Sequence, residues 1–142
     1  METTTGKTLQ CVVVTPEKAV LDAAADFVAL PMYDGELGVL PGRAPLIGRL
    51  GYGELRIQQG HDTKRYFVDG GFAQVRADVV TVLTSRAMKG EDIDPAAAEQ
   101  SLEAAKAPTG TPEAQLKAQD RARSQLRVAR KARGAVAETT HS

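Results

Sequence analysis

Short runs of Val, Leu, Ile, Phe and Tyr, punctuated by Gly and Pro, fill the chain up to Lys89-Gly90. Beyond that point an Ala-, Glu- and Arg-rich stretch carries few large apolar residues. The first pattern predicts strands and the second helices. Strand-length segments rich in β-branched and aromatic residues lie at Leu9–Thr15, Phe27–Met32, Gly53–Gln58, Arg65–Asp69, Ala73–Arg76 and Val79–Thr84. Gly60-His61-Asp62, Asp69-Gly70-Gly71 and Ala77-Asp78 read as the turns between them. Alternation is clearest in Leu55-Arg56-Ile57-Gln58, where one side faces a core and the other water. Many short strands with no long helical period between them favour an antiparallel β-sandwich or flattened barrel over a parallel α/β fold.

After the strands, Asp94 is placed to cap a helix with Pro95 at its first position, and Ile93 can pack on Ala98 as a hydrophobic staple. The first helix is expected to end near Ala107, with a break over Pro108–Pro112. Thr111 and Pro112 repeat the cap-and-proline start, and Gly134 offers a left-handed stop before a flexible tail. The expected fold class is therefore α+β: a sandwich over residues 1–90, then an antiparallel two-helix hairpin over 91–142. The apolar stripe of the second helix, Ala114, Ala118, Ala122, Leu126 and Ala129, is mostly alanine. Since a buried CH₂ contributes only ~0.8 kcal/mol, the stripe predicts weak docking and a candidate moving part.

Charge sharpens this picture. Glu91 to Glu103 holds five acids and no base, whereas Glu113 to Arg133 holds seven bases and two acids. Capping electrostatics account for part of that, because acids suit a helix start and bases a helix end. A solvated face accounts for the rest as well as a binding surface does. The whole chain of 142 residues balances 18 basic against 18 acidic side chains, so it has no global field for nucleic acid. Its apolar runs are far shorter than the roughly 20 residues of a spanning helix. The N-terminus lacks the basic and apolar segments of a signal peptide and the Arg-rich character of a transit peptide, so the chain is expected to stay where it is made.

Candidate chemistry is sparse. His61 lies in a turn and His141 in a polar tail, positions that suit solvated rather than catalytic imidazoles. Cys11, the single cysteine, reads as a small core residue. No phosphate-binding loop, dinucleotide fingerprint or metal-ligand cluster is apparent, so no catalytic residue, metal or cofactor is assigned. One segment does stand out, Asp34 through Leu46 (Asp-Gly-Glu-Leu-Gly-Val-Leu-Pro-Gly-Arg-Ala-Pro-Leu). Its glycines and prolines predict a rigid, non-regular ribbon exposing Leu37 and Leu40 beside Glu36 and Arg43. Local chemistry fits a structural turn and a docking surface equally.

That segment, together with Asp69-Gly-Gly-Phe-Ala-Gln-Val75, Val80-Thr-Val-Leu-Thr84 and Asp92-Ile-Asp94, closely resembles the epsilon subunits of bacterial and chloroplast F-type ATP synthases, which correspond to the mitochondrial delta subunit. The resemblance runs from about Leu9 to Arg133 with the motifs in order. It implies a noncatalytic subunit of the central stalk that couples rotation of the c-ring to ATP synthesis. It places Glu36, Leu37 and Gly38 at the c-ring, and Pro41, Gly42, Arg43, Ala44, Pro45 and Leu46 towards the gamma subunit, with Arg43 standing where the family has histidine. It further implies a hairpin that extends transiently into the alpha/beta catalytic head and inhibits hydrolysis, with Arg121, Arg123, Arg127, Arg130, Lys131 and Arg133 meeting the beta subunit. Membrane association would be indirect and peripheral, on the cytoplasmic face of the bacterial inner membrane. Some family members bind ATP through Ile/Leu-Asp-x-x-Arg-Ala; here Ala97 replaces the arginine, so weak or absent ATP binding is expected. The competing readings are a stand-alone β-sandwich ligand-binding protein and an adaptor that grips an acidic partner through its basic helix.

Overall fold

The computed structural model describes residues 8–106 and 110–141, the stretch from 134 onward through its backbone alone. Eight strands precede two helices: β1 Leu9–Val14, β2 Ala19–Ala25, β3 Phe27–Met32, β4 Gly35–Val39, β5 Leu46–Gln59, β6 Asp62–Arg76, β7 Val79–Leu83, β8 Ala87–Lys89, α1 Pro95–Ala105 and α2 Pro112–His141. The strands run in the order β2-β1-β7-β6-β5-β3-β4, with β8 also on β6.

Two long strands turn this one sheet into two layers. The start of β5 pairs with the end of β6, Leu46 opposite Val75, while the end of β5 pairs with the start of β6, Gln59 opposite Asp62. One layer thus holds β2, β1, β7, the start of β5 and the end of β6; the other holds β4, β3, β8, the end of β5 and the start of β6. The strands bend at Gly51–Gly53 and at Gly70-Gly71, where φ is +71° and +108°. Asp69-Gly70-Gly71 is therefore a bend inside a strand and not the turn that its composition suggests, because both flanks keep their pairing to β5. Between the layers lie Leu9, Cys11, Val13, Val28, Leu30, Val39, Leu55, Ile57, Val68, Val75, Val80 and Val82, all essentially without solvent access.

Burial governs the one cysteine. It pushes the Cys11 thiol from its ordinary 9.0 up to about 12, with the Asp22 charge adding to the effect. A thiol held neutral stabilises the fold fully below its unfolded value, and that contribution is lost as pH rises towards the folded value. The melting temperature should fall above about pH 9, and Cys11→Ala should flatten the fall. Identical pH profiles for the two proteins would refute this.

Both helix starts form as their residues predict. Asp94 accepts a hydrogen bond from the Ala96 N–H at 3.0 Å, and Thr111 Oγ1 accepts from the Ala114 N–H at 3.1 Å. Positions 107–109, the expected end of the first helix and the first two residues of the predicted break, fall outside the described residues. Gly134 does not stop the second helix, which continues to His141 where a flexible tail was expected. No helix among the described residues is long and apolar enough to cross a membrane.

The hairpin lies folded on the sandwich. Phe67 on the outer side of β6 joins Ile93, Ala98, Leu126, Val128 and Ala129 in a second buried cluster, with Tyr52 and Met88 at its margin. The expected stripe is thus incomplete, since it lacks Val128. Val128 and Leu126 supply the large side chains, while Ala114 at the far end of the expected stripe is exposed. The stripe misleads because the helix meets two partners, α1 and the sheet, along different lines of its surface.

Candidate functional site: two faces of the sandwich

The segment Asp34–Leu46 is more regular than its glycines and prolines suggest. Gly35–Val39 forms edge strand β4, paired with β3 through Leu37 opposite Leu30 and Glu36 opposite Pro31. Leu37 turns inward and packs against the core, so it is not the exposed residue expected from the sequence; Leu40 is, at 59% exposure. Gly38 lets the Phe27 ring lie close, since a Cβ there would stand 2.9 Å from the ring and push it aside. Glu36 remains at the surface and pairs with Arg56 on β5 at 3.1 Å.

Only Leu40 to Pro45 is irregular, and its first four residues form a defined turn. The Arg43 N–H donates to the Leu40 carbonyl at 3.3 Å, and Gly42 has φ +87°. Positive φ at the third position, here a glycine, is the requirement of a type II turn, and proline is common at the second. The chain then enters β5 at Leu46, which packs partly against the core, while Ile47 points outward at 74% exposure.

Ile47 belongs to a larger apolar face. Register places Ile47 beside Gln74 and Thr81, and Arg49 beside Phe72 and Leu83. Phe72 and Leu83 are 54% and 52% exposed, and Arg49 lies over the Tyr33 ring at 4.4 Å. An open groove of about 470 Å³, lined by Pro45, Leu46, Ile47, Gln74, Val75 and Arg76, joins this face to the turn. Contiguous exposed apolar surface with a polar rim makes this face a candidate docking surface. Periodicity alone missed this face because its inward neighbours are equally apolar.

The opposite face is charged and covered by α2. Glu54 is central to it: Arg65 lies 3.1 Å away, Arg56 3.6 Å and Lys131 of α2 3.9 Å. Arg121 Nε stands 3.0 Å from Asp69 Oδ2, an ion pair outside hydrogen-bond alignment, and its guanidinium lies 5.1 Å from the Tyr52 ring centroid. Arg130 pairs with Glu99 of α1 at 2.8 Å, and Arg133 donates to the Ile93 carbonyl at 3.0 Å. Arg123 pairs locally with Asp120, and Arg127 is exposed without an ion-pair partner among the described residues. The basic cluster is thus divided, Arg121 facing the sandwich and Arg123, Arg127 and Arg130 exposed. Ala97 is exposed on α1 and offers no cation to a phosphate. His61 sits at the exposed β5–β6 turn, and the His141 side chain lies outside the described residues.

Known proteins share this sandwich. Residues 8–90 match the family model for the ATP synthase delta/epsilon chain β-sandwich domain. The chain belongs to the ATP synthase delta/epsilon family. It is 60% identical over 126 residues to the ATP synthase epsilon chain of Rhodopirellula baltica, covering 86% of this chain and 98% of that one. It is 42% identical over 99 residues to the epsilon chain of Anoxybacillus flavithermus, covering 70% and 74%. Among solved structures it resembles a chain of the Euglena gracilis mitochondrial ATP synthase, in an assembly of OSCP, F1 and c-ring, with TM-score 0.68 and 25% identity over 91% of this chain and 81% of that one. This delta/epsilon-family chain is accordingly a central-stalk subunit of an F-type ATP synthase and associates with that complex.

Proposed function

We propose that this subunit is noncatalytic and works as a clamp on the rotor with a reversible brake on its back. The open apolar face of Ile47, Phe72 and Leu83, continuous with the Leu40–Arg43 turn, carries this reading, because it leaves large side chains in water that only a partner would cover. Gamma would dock there, on Pro41 to Leu46 and the adjoining groove. The c-ring would meet the β4 edge at Glu36, with Leu37 and Gly38 setting its shape. Exchange of the Arg56 pairing for a partner's polar group would cost little, since a surface ion pair contributes about 0 to 1 kcal/mol. The assembly would hold the chain peripherally at the membrane, on the cytoplasmic face.

The hairpin would serve as the brake. Arg123 and Arg127 would reach acidic residues of the beta subunit directly, while Arg121, Arg130, Lys131 and Arg133 would do so once their contacts to Asp69, Glu99, Glu54 and Ile93 break. The folded position is then the released state of the brake, held by one buried apolar cluster and several ion pairs whose balance a partner can tip. Deleting residues 91–142 should raise ATP hydrolysis by the assembled enzyme severalfold without lowering the amount of subunit bound. Unchanged hydrolysis would reject the brake, and loss of the truncated subunit from the complex would reject the clamp as drawn.

A further inference from the structure

The β6–β7 connection is a two-residue turn in which both residues have positive φ, Ala77 at +50° and Asp78 at +64°. Tight hairpin turns of this kind favour Asn-Gly or Asp-Gly, with glycine usual at the second position, because most side chains other than those of asparagine and aspartate are disfavoured in the left-handed region. Asp78 stays there although a glycine would relieve the conformation. Its side chain has a use elsewhere: Asp78 Oδ1 accepts from the Gly42 N–H at 2.7 Å, across 36 positions of sequence.

That bond acts on the turn between Leu40 and Arg43. Types I and II differ by a flip of the central peptide, here Pro41–Gly42, so the two forms send the Gly42 N–H to opposite sides. An acceptor fixed on one side selects one form. The β6–β7 hairpin is a rigid base for it, since the Asp78 carbonyl also accepts from the Gln10 N–H at 2.8 Å. The selected form sets where Leu40 and Arg43 stand beside the groove of Pro45, Ile47 and Arg76.

The geometry points to Asp78 as a positioning residue for the partner-binding turn: through Gly42 it holds Leu40-Pro41-Gly42-Arg43 in the form that gamma recognises. This rests on the gamma assignment above, and the Asp78 carboxylate acts on the turn through its bond to the Gly42 N–H. The test uses the full-length chain and the gamma-containing complex stripped of this subunit. Asp78→Gly should melt at or above the temperature of the unsubstituted chain, because φ +64° suits glycine, yet bind the complex about five- to tenfold more weakly. Asp78→Asn keeps an acceptor oxygen and tolerates the same φ, so it should bind within about twofold. Hydrogen exchange of the Gly42 amide should accelerate in Asp78→Gly and stay near its original rate in Asp78→Asn. Equal affinity of Asp78→Gly and the unsubstituted chain, or unchanged Gly42 exchange, overturns the inference. Failure of the unsubstituted chain to bind the stripped complex overturns the gamma assignment instead, and Gly42 exchange then still decides the role of Asp78.

Discussion

Phe67→Ala is expected to free the hairpin while leaving the sandwich folded. Alternation along β6 sends Tyr66 and Val68 into the space between the layers and Phe67 to the other side, where it meets Ile93, Leu126, Val128 and Ala129. Truncation of a buried phenylalanine costs about 3 to 5 kcal/mol, and here the loss falls on the docking interface. At 1.4 kcal/mol per tenfold, even about 3 kcal/mol enlarges the undocked population about a hundredfold. Trypsin should then cut α2 at its lysines and arginines far faster, while the strands keep their melting transition. In the assembled enzyme the same substitution should lower ATP hydrolysis, opposite in sign to deletion of residues 91–142, because it populates the extended hairpin instead of removing it. Trypsin sensitivity equal to that of the unsubstituted chain would show that Phe67 does not hold the hairpin.

Gly71→Ala should damage the fold itself. At φ +108° an added Cβ would collide with the Leu83 carbonyl oxygen and stand 2.8 Å from Thr84 Cα, and those are backbone atoms of a paired strand that cannot rotate away. A cost of about 3 kcal/mol or more is expected, enough to abolish or greatly lower the cooperative melting transition. Its neighbour supplies the control. Gly70 has φ +71° but nothing within 4 Å of a Cβ, so Gly70→Ala should lose only the left-handed penalty of about 1 to 2 kcal/mol. Circular dichroism melts of the two variants test the contrast, and equal losses would mean that conformation and not contact makes Gly71 necessary. The bend has a second consequence, since it carries Asp69 out to Arg121 and links the hinge between the layers to the hairpin.

The strands that the residues announce most clearly are those with β-branched content on a buried side, such as β1, β3 and β7. β2 escapes notice because Ala19–Ala25 is mostly alanine with an aspartate in the middle, and it becomes a strand only by pairing along β1 at the sheet edge. β5 and β6 look like several short strands because Gly48, Gly51, Gly53, Gly70 and Gly71 interrupt their apolar pattern. In the fold those glycines bend continuous strands from one layer into the other. The Asp34–Leu46 motif is conspicuous by composition, yet which of its leucines faces a partner depends on β4 pairing with β3.

By itself the sequence determined the sandwich-then-hairpin order, both helix caps, the tight turns at Gly60-His61 and Ala77-Asp78, and, through its motifs, the family. These are signals that act within a few residues, where side-chain shape and backbone hydrogen bonding suffice. Only the tertiary structure decided that Phe67 faces the hairpin and not the core, that Arg121 is turned inward while Arg127 is exposed, that Ile47, Phe72 and Leu83 make one surface, and that Asp78 holds Gly42. Each of those joins residues far apart along the chain, and such contacts are set by strand register and layer packing, which no local pattern of residues encodes.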